Sequence, residues 1–381
     1  MDFSLTEDQK MLKTMVRDFA ETEVEPIAAQ IDEEARFPTE SIKKIAQLGL
    51  MGTIFPEEYG GSGGGETEIA IIIEEIARVC GSTAAILLAS ISLASYPIYK
   101  FGTEEQRQRF VVPLAKGEKL ACFALTEAGA GSDVAALETT ATPQSGGYTL
   151  NGNKFFITNG VEAEIAVVFA TIDKSLRHRG ITGFIVEKGT PGFSLGKLEH
   201  KLGIRASSTT ELLFEDCFVP EANRLGNDGE GFKIALGAID NSRLSVAAQA
   251  VGIAQGAFDK ALAYSKERHQ FGQPIVSFQA IQWMLADMAT QIDAARLLTY
   301  RAGYLQDKGL PFIKEAAMAK VFAAEAAMFV TTKAIQIYGG YGYVKDYPLE
   351  RYFRDAKITG IYEGTDEMQR MTIAKSLLRE S

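Results

Sequence analysis

Cysteine and histidine are scarce in these 381 residues. Cys80, Cys122 and Cys217 lie far apart and make no C-x-x-C, which argues against a disulfide framework or a zinc site. His178, His200 and His269 form no H-x-x-x-H pattern, so a metal enzyme is not expected. No G-K-[ST] occurs. The glycine-rich stretch at 58–66 has no strand before it, so it reads as a flexible connector rather than a phosphate cradle. The N-terminus carries no charged-then-apolar leader, though a chain that had already lost one would look the same. Apolar runs such as 84–89 fall far short of a membrane span. Positive charge is in deficit, 39 Lys and Arg against 49 Asp and Glu. The net charge of −10 disfavours nucleic acid or an anionic membrane as the main partner. A soluble cytoplasmic protein is expected.

What is present suits a large folded chain. The composition, 46% hydrophobic and 23% charged, is that of a globular protein, and the length allows two or three domains. Residues 8–24 carry a helix-spaced apolar face (Met11, Leu12, Met15, Val16, Phe19), and Pro38-Thr39 opens a helix ending near Gly49. Helices at 69–79, 83–99 and 104–114 complete a helical block. Near Ala121 the character changes to short strands. Residues 148–150 and 154–157 flank Asn151-Gly152, which predicts a tight hairpin. Further strands are expected at 165–171, 183–187, 193–198 and 210–214. From Phe232 onward the chain is helical again, with candidates at 242–266, 278–308, 312–338 and 365–378. The pattern predicts a mixed α and β fold: an N-terminal helical domain (1–120), a middle antiparallel β-domain (121–231) and a C-terminal four-helix-bundle domain (232–381).

The most informative segment is Ile361-Tyr362-Glu363-Gly364-Thr365-Asp366-Glu367. A lone carboxylate follows an apolar run and precedes a capping threonine. An acid on such a corner has its pKa raised, as a general base requires, although an acidic residue before a helix cap would look the same. Four other segments stand out. Phe123 to Asp133 (FALTEAGAGSD) could bring backbone N–H groups close to an anion or a flat heterocycle. Phe155-Phe156-Ile157-Thr158-Asn159-Gly160 could set an aromatic pair and a hydroxyl against a ring system. Glu267 to Pro274 (ERHQFGQP) places a guanidinium beside an aromatic, which suits pyrophosphate and adenine. Gln336 to Tyr343 (QIYGGYGY) ends a long helix in two glycines. Each also has an ordinary reading: connector, hairpin edge or helix cap.

In this order and spacing, these segments resemble the acyl-CoA dehydrogenase family. Lys201 to Arg205 (KLGIR), Phe214 to Pro220 (FEDCFVP) and Arg354 to Ile358 (RDAKI) agree, and the likeness runs from Leu5 to about Leu378. The general look is nearest to bacterial short-chain, butyryl-type members. The resemblance implies the same three-domain fold, FAD wedged between the β-domain and the C-terminal helices, and α,β-dehydrogenation of an acyl-CoA to the trans-2-enoyl-CoA. Glu363 falls on the family's catalytic base. Its backbone N–H and a flavin ribityl hydroxyl would receive the thioester oxygen where enolate charge develops. By the same resemblance, Phe123, Leu125, Thr126, Gly131, Ser132, Phe156, Ile157 and Thr158 would contact the flavin, with Thr158 near N5 and Phe156 walling the ring. Relatives often carry tryptophan at Phe156 and proline at Ala128, so stacking and loop rigidity are expected to be smaller. Arg268, Phe271, Phe278, Gln279, Gln336, Gly339 and Gly340 would bind the FAD of a neighbouring subunit, and Thr365 and Glu367 that of their own. Ser132, Asp240, Arg243, Tyr362 and Gly364 would meet the substrate. Implied partners are an acyl-CoA, electron-transfer flavoprotein and three further copies of the chain in a homotetramer.

The acyl group is expected to be neutral. Residues 84–99 contain no cation, and a buried carboxylate there would stay unpaired. Ser90, Ile91, Leu93 and Tyr96 are candidates for the pocket floor. Some relatives place the base on the helix before the equivalent of Arg243. Ser242 stands there, which disfavours the isovaleryl-type arrangement. Alternatives are an enoyl-CoA reductase running in reverse, a dehydrogenase for branched or cyclic acyl groups, an acyl-CoA oxidase, and a non-catalytic flavin-containing binding protein.

Overall fold

The computed structural model describes residues 4–380; the opening residues 1–3, read above for a leader, lie outside it. Eight helices come first: Glu7–Phe19 (α1), Glu25–Glu33 (α2), Thr39–Gln47 (α3), Glu66–Ala77 (α4), Gly81–Leu88 (α5), Tyr96–Phe101 (α6) and the short turns Glu104–Gln106 (α7) and Val112–Ala115 (α8). Thr6 and Gln9 form a reciprocal capping box at the start of α1. The first helix does not stop at Val24 as its apolar face suggests. A π-helical turn at Ala20–Val24 carries it into α2, and Pro26, which cannot donate to the turn before it, falls just after that irregular turn. A second π-helical segment, Ala89–Ser95, joins α5 to α6. The resulting rod, Gly81–Phe101, is long and apolar enough to cross a membrane, unlike the shorter runs weighed in the sequence. Here 89% of its apolar window is buried inside the protein. It is a core helix.

α4 sits at the centre, with isoleucines on every side and Glu74 and Glu75 buried among cations from two directions. Arg17 of α1 makes two 2.9 Å hydrogen bonds to Glu75. Arg296 reaches Glu74 at 2.9 Å from the C-terminal helices. The glycine-rich stretch at 58–66 is packed backbone on backbone: a Cβ on Gly61 would lie 1.9 Å from the Phe55 carbonyl oxygen.

The middle region holds eight strands: Ala121–Ala124 (β1), Thr140–Gln144 (β2), Gly147–Thr158 (β3), Ile165–Thr171 (β4), Ile181–Glu187 (β5), Phe193–Leu198 (β6), Thr209–Pro220 (β7) and Arg224–Leu225 (β8). The sheet runs β6-β7-β3-β2-β4-β5-β8. It is antiparallel except that β1 runs parallel to β4 and Thr140 of β2 bridges Thr171 in parallel. The Asn151-Gly152 hairpin is not formed. These two residues lie inside the single long strand β3, at a bulge opposite β7. Asn151 exchanges hydrogen bonds with Asp216, and Gly152 at φ +144° passes within what would be 2.6 Å of Thr139 Oγ1. The turn lies one strand earlier, at Gly146 (φ +81°), between β2 and β3.

The C-terminal third contains Gly231–Glu267 (α9), Gln279–Asp307 (α10), Ile313–Tyr338 (α11), Leu349–Ile358 (α12) and Asp366–Glu380 (α13). α9 begins eleven residues earlier than its alanine-rich stretch suggests, and α12 was not foreseen from sequence. α9 and α11 pack along each other, with α10 and α13 completing the bundle. All three cysteines are free and buried.

Candidate active site

Glu363 occupies the loop between α12 and α13, half-buried, in a left-handed backbone conformation (φ +54°) followed by Gly364 at φ +87°. Such a φ is uncommon for a residue with a Cβ and persists only where surroundings impose it. Here Gln369, buried in the first turns of α13, donates to the Glu363 carbonyl (3.1 Å) and the Gly364 carbonyl (2.9 Å). Thr365 accepts from Met368 N at 3.4 Å, the cap expected of it. Tyr362 bonds to Gln249 of α9.

The Glu363 carboxylate meets α9. Ser242 Oγ lies 2.7 Å from Glu363 Oε2. Burial pushes the Glu363 pKa up to about 6, while the Ser242 hydrogen bond and then the charges of Lys320 and Arg243 hold it down. Arg243 is buried, lies 2.5 Å from Asp240 and leaves its Nε without a partner. Ser242 and Arg243 of α9 thus face the Glu363 carboxylate, Asp240 pairs with Arg243, and Tyr362 and Gly364 flank the acid on its own loop. The two side chains that grip the Glu363 loop, Gln369 and Lys320, are not among the residues that the sequence singles out. Lys320 is one of three lysines on the alanine-rich α11, with Lys314 and Lys333, and nothing local in the sequence marks it as the buried one.

A second group of expected site residues lies in the β-domain. A register shift between Lys154 and Ile157 turns Phe156 outward, at φ +59° and 63% exposed. Thr158 and Thr126 are half-buried beside it, and Phe155 N donates to the Thr126 carbonyl at 2.8 Å, tying the 123–133 segment to β3. The turn at 127–130 is closed by two 3.1 Å backbone bonds between Glu127 and Ala130. Buried Lys154 adds a 2.7 Å ion pair to Glu127. This bracing replaces the rigidity a proline would give at Ala128. A Cβ on Gly129 or Gly131 would meet nothing within 4 Å, and Ser132 is exposed. Phe123, Leu125 and Ile157 point into the core, so only their backbone could serve a ligand.

The third cluster lies at the far end of the bundle. Tyr264, Arg268, Ile275, Tyr338, Gly339 and Gly340 are among the residues lining an open cavity of about 530 Å³. Arg268 stacks 5.5 Å from the Tyr341 ring centre. Phe271 is 93% exposed, at φ +52°, edge-on to half-buried Phe278. Gln279, Gln336 and Glu367 are exposed and do not line that cavity. The open glycines and outward Phe156 beside Thr126 and Thr158 suit a flat ring, and in the separate groove Arg268 over Tyr341 suits a phosphate bridge and a second ring.

Of the pocket-floor candidates, Ser90 is committed to packing, its Oγ accepting from Ala121 N at 3.1 Å. Ile91 is fully buried, Leu93 nearly so and Tyr96 half-buried. They sit on or beside the π-helical segment Ala89–Ser95, a geometry that recurs at functional sites.

The acyl-CoA dehydrogenase N-terminal, middle and C-terminal domain models match residues 6–118, 122–217 and 229–378. The chain is 54% identical to a short-chain-specific acyl-CoA dehydrogenase of Clostridium acetobutylicum, covering all of both chains. It is 53% identical to an acryloyl-CoA reductase (NADH) of Anaerotignum propionicum, over all of this chain and 96% of that one. Among solved structures, butyryl-CoA dehydrogenase from Megasphaera elsdenii superposes with a TM-score of 0.98 at 48% identity, full length on both sides. A structure reported for the electron-transferring flavoprotein of Acidaminococcus fermentans gives 0.98 at 52%, again full length. Three consecutive domain models and end-to-end relatives above half identity lead to one conclusion: this chain belongs to the acyl-CoA dehydrogenase family.

Proposed function

We propose that this protein removes the α and β hydrogens of a neutral, short-chain acyl-CoA, with Glu363 taking the α-proton. The observation that carries the reading is the Glu363 carboxylate held on a constrained left-handed loop and hydrogen-bonded at 2.7 Å to buried Ser242, a setting whose burial pushes its pKa up to about 6. Raising that pKa from 4.5 to about 6 strengthens the base by about 2 kcal/mol while leaving it mostly ionised at neutral pH. The Glu363 N–H would donate to the thioester oxygen as enolate charge develops, and desolvation by the substrate would raise the carboxylate's basicity further. Asp240 and Arg243 would line CoA and the acyl entrance, Ser132 would lie near CoA or the flavin phosphate, and Tyr362 and Gly364 would meet the substrate beside Glu363.

FAD, when bound, supplies the two-electron acceptor for the β-hydride. Thr126, Phe156, Thr158 and the 123–133 backbone would hold its ring. Thr365 and Glu367 would touch it from the same subunit. Arg268, Phe271, Phe278, Gln279, Gln336, Gly339 and Gly340 would hold the adenosine end of a neighbour's FAD in a homotetramer. Electron-transfer flavoprotein is the proposed redox partner, supported by the structural likeness above. A second reading, reduction of an enoyl-CoA by the same groups in reverse, is favoured by the reductase relative. Glu363 would then return a proton to the α-carbon.

Anaerobic titration of the flavin-loaded protein with butyryl-CoA, isobutyryl-CoA and longer acyl-CoAs tests the reading. Butyryl-CoA should bleach the flavin best. Glu363→Gln should keep flavin and ligand binding while bleaching slows by orders of magnitude. Native-rate bleaching by that variant would remove Glu363 from the role. Enoyl-CoA reduction outpacing acyl-CoA oxidation with the same partner would select the reverse direction.

A further inference from the structure

Where α11 passes the site its face is alanine and valine: Ala316, Ala317, Ala319, Val321, Ala323 and Ala324 are all buried. One side chain breaks the pattern. Lys320 is 0% exposed, and its Nζ crosses to the loop before α13. There it donates to the Gly364 carbonyl at 2.9 Å and to Asp366 Oδ1 at 3.1 Å. A buried ammonium is strongly disfavoured unless paired, so its position calls for a reason. Gln369 grips the same loop from the other side through the Glu363 and Gly364 carbonyls. Two side chains from different helices thus hold a loop in which consecutive residues take left-handed φ.

We propose that Lys320 is a positioning residue for Glu363: anchored by Asp366, its ammonium fixes the Gly364 carbonyl so that the loop holds the carboxylate against Ser242 of α9. Its charge also favours the ionised carboxylate. This rests on the reading of Glu363 as the base. The Glu363 carboxylate faces Ser242 and Arg243 on α9, Tyr362 on its own loop and Lys320 on α11. Lys320 faces Asp366, Glu363 and Arg243, and Asp366 faces Arg370 and Glu325. Arg243 is engaged by Asp240, which leaves Lys320 as the cation tied directly to the loop.

The sign of the effect follows. Without the Lys320 charge, burial acts on Glu363 with less opposition and its pKa rises. The acid limb of the bleaching rate then moves to higher pH. In flavin-loaded Lys320→Met, which removes donor and charge at similar length, that limb should rise by about one pH unit, and the alkaline plateau should fall about tenfold as the loop loosens. Lys320→Gln removes the charge but keeps a polar group, and should show the same displacement of the limb; it also serves if the Met variant does not fold. Infrared difference titration without substrate, following the carboxyl band that Glu363→Gln abolishes, should show the same displacement directly. A side chain that only filled space would leave both titrations unmoved. Folded, flavin-loaded Lys320 variants with the native limb and native infrared titration would overturn the proposal. If Glu363→Gln is inactive in that same series, the base assignment survives and only Lys320 is dismissed; if Glu363→Gln bleaches normally, the base assignment itself falls.

Discussion

Ser242 Oγ has one proton and two acceptors within reach, the Glu363 carboxylate at 2.7 Å and the Ile239 carbonyl at 3.1 Å. The charged acceptor is the stronger, so the proton goes to Glu363 while that group is ionised. When Glu363 becomes protonated, it can donate to Ser242 Oγ, whose own proton can turn to Ile239. One hydroxyl thus serves both states of the base. The bond lowers the Glu363 pKa against the effect of burial. Ser242→Ala removes that help, so the acid limb of flavin bleaching should shift upward by about one pH unit or less. Stopped-flow rates across pH measure it; a limb that stays in place would mean the hydroxyl gives its proton to Ile239 throughout. The sequence marked position 242 only as unable to be a base. Its service to Glu363 was invisible because the two residues are 121 positions apart and no local pattern joins them.

At the scale of elements, α9 shows how tightly helices approach where side chains vanish. A Cβ on Gly256 would lie 2.0 Å from the Arg78 carbonyl oxygen, and one on Gly252 would lie 2.2 Å from that of Glu74. Gly256→Ala sets two effects in opposition. Helix propensity favours alanine by about 1 kcal/mol. The clash is with backbone at the end of α4, which cannot swing aside, and overpacking of this kind costs about 1–3 kcal/mol or more. The net should be destabilising, read as a lower denaturation midpoint with unchanged slope. The same scale shows what the sequence hid. The long alanine-rich stretches located α10 and α11 to within a residue at each end, whereas the apolar face that marked α1 stopped at Val24, short of the helical run through α2 to Glu33. Asn151-Gly152 misled because glycine's freedom serves a bulge as well as a turn, and Thr139, against which Gly152 packs, lies just before a different strand, β2. α12 escaped notice because its charged residues pair with distant partners: Arg354 with Asp32, and Asp355 with the Ile204 N–H.

At the scale of the whole molecule, the groups assigned to FAD fall into two clusters on one chain. Phe156 and Thr158 stand at the β-domain wall, whereas Arg268, Gly339 and Gly340 line the cavity at the end of the bundle. Exposed Phe271 follows cavity-lining Gln270 in the chain, apolar surface that a second copy would cover. In a twofold-symmetric pair, each site would combine one subunit's Glu363 with its neighbour's Arg268. This arrangement makes an experiment with two inactive proteins informative. Glu363→Gln alone lacks the base in every site, and Arg268→Ala alone lacks the FAD anchor in every site. In a mixed pair, one site inherits both defects and the other inherits none. Unfolding and refolding the two variants together with FAD should therefore recover activity approaching roughly one site in four, against almost none for either alone. If Arg268 served the FAD of its own subunit, each site in the mixed pair would carry one defect, and mixing would recover nothing.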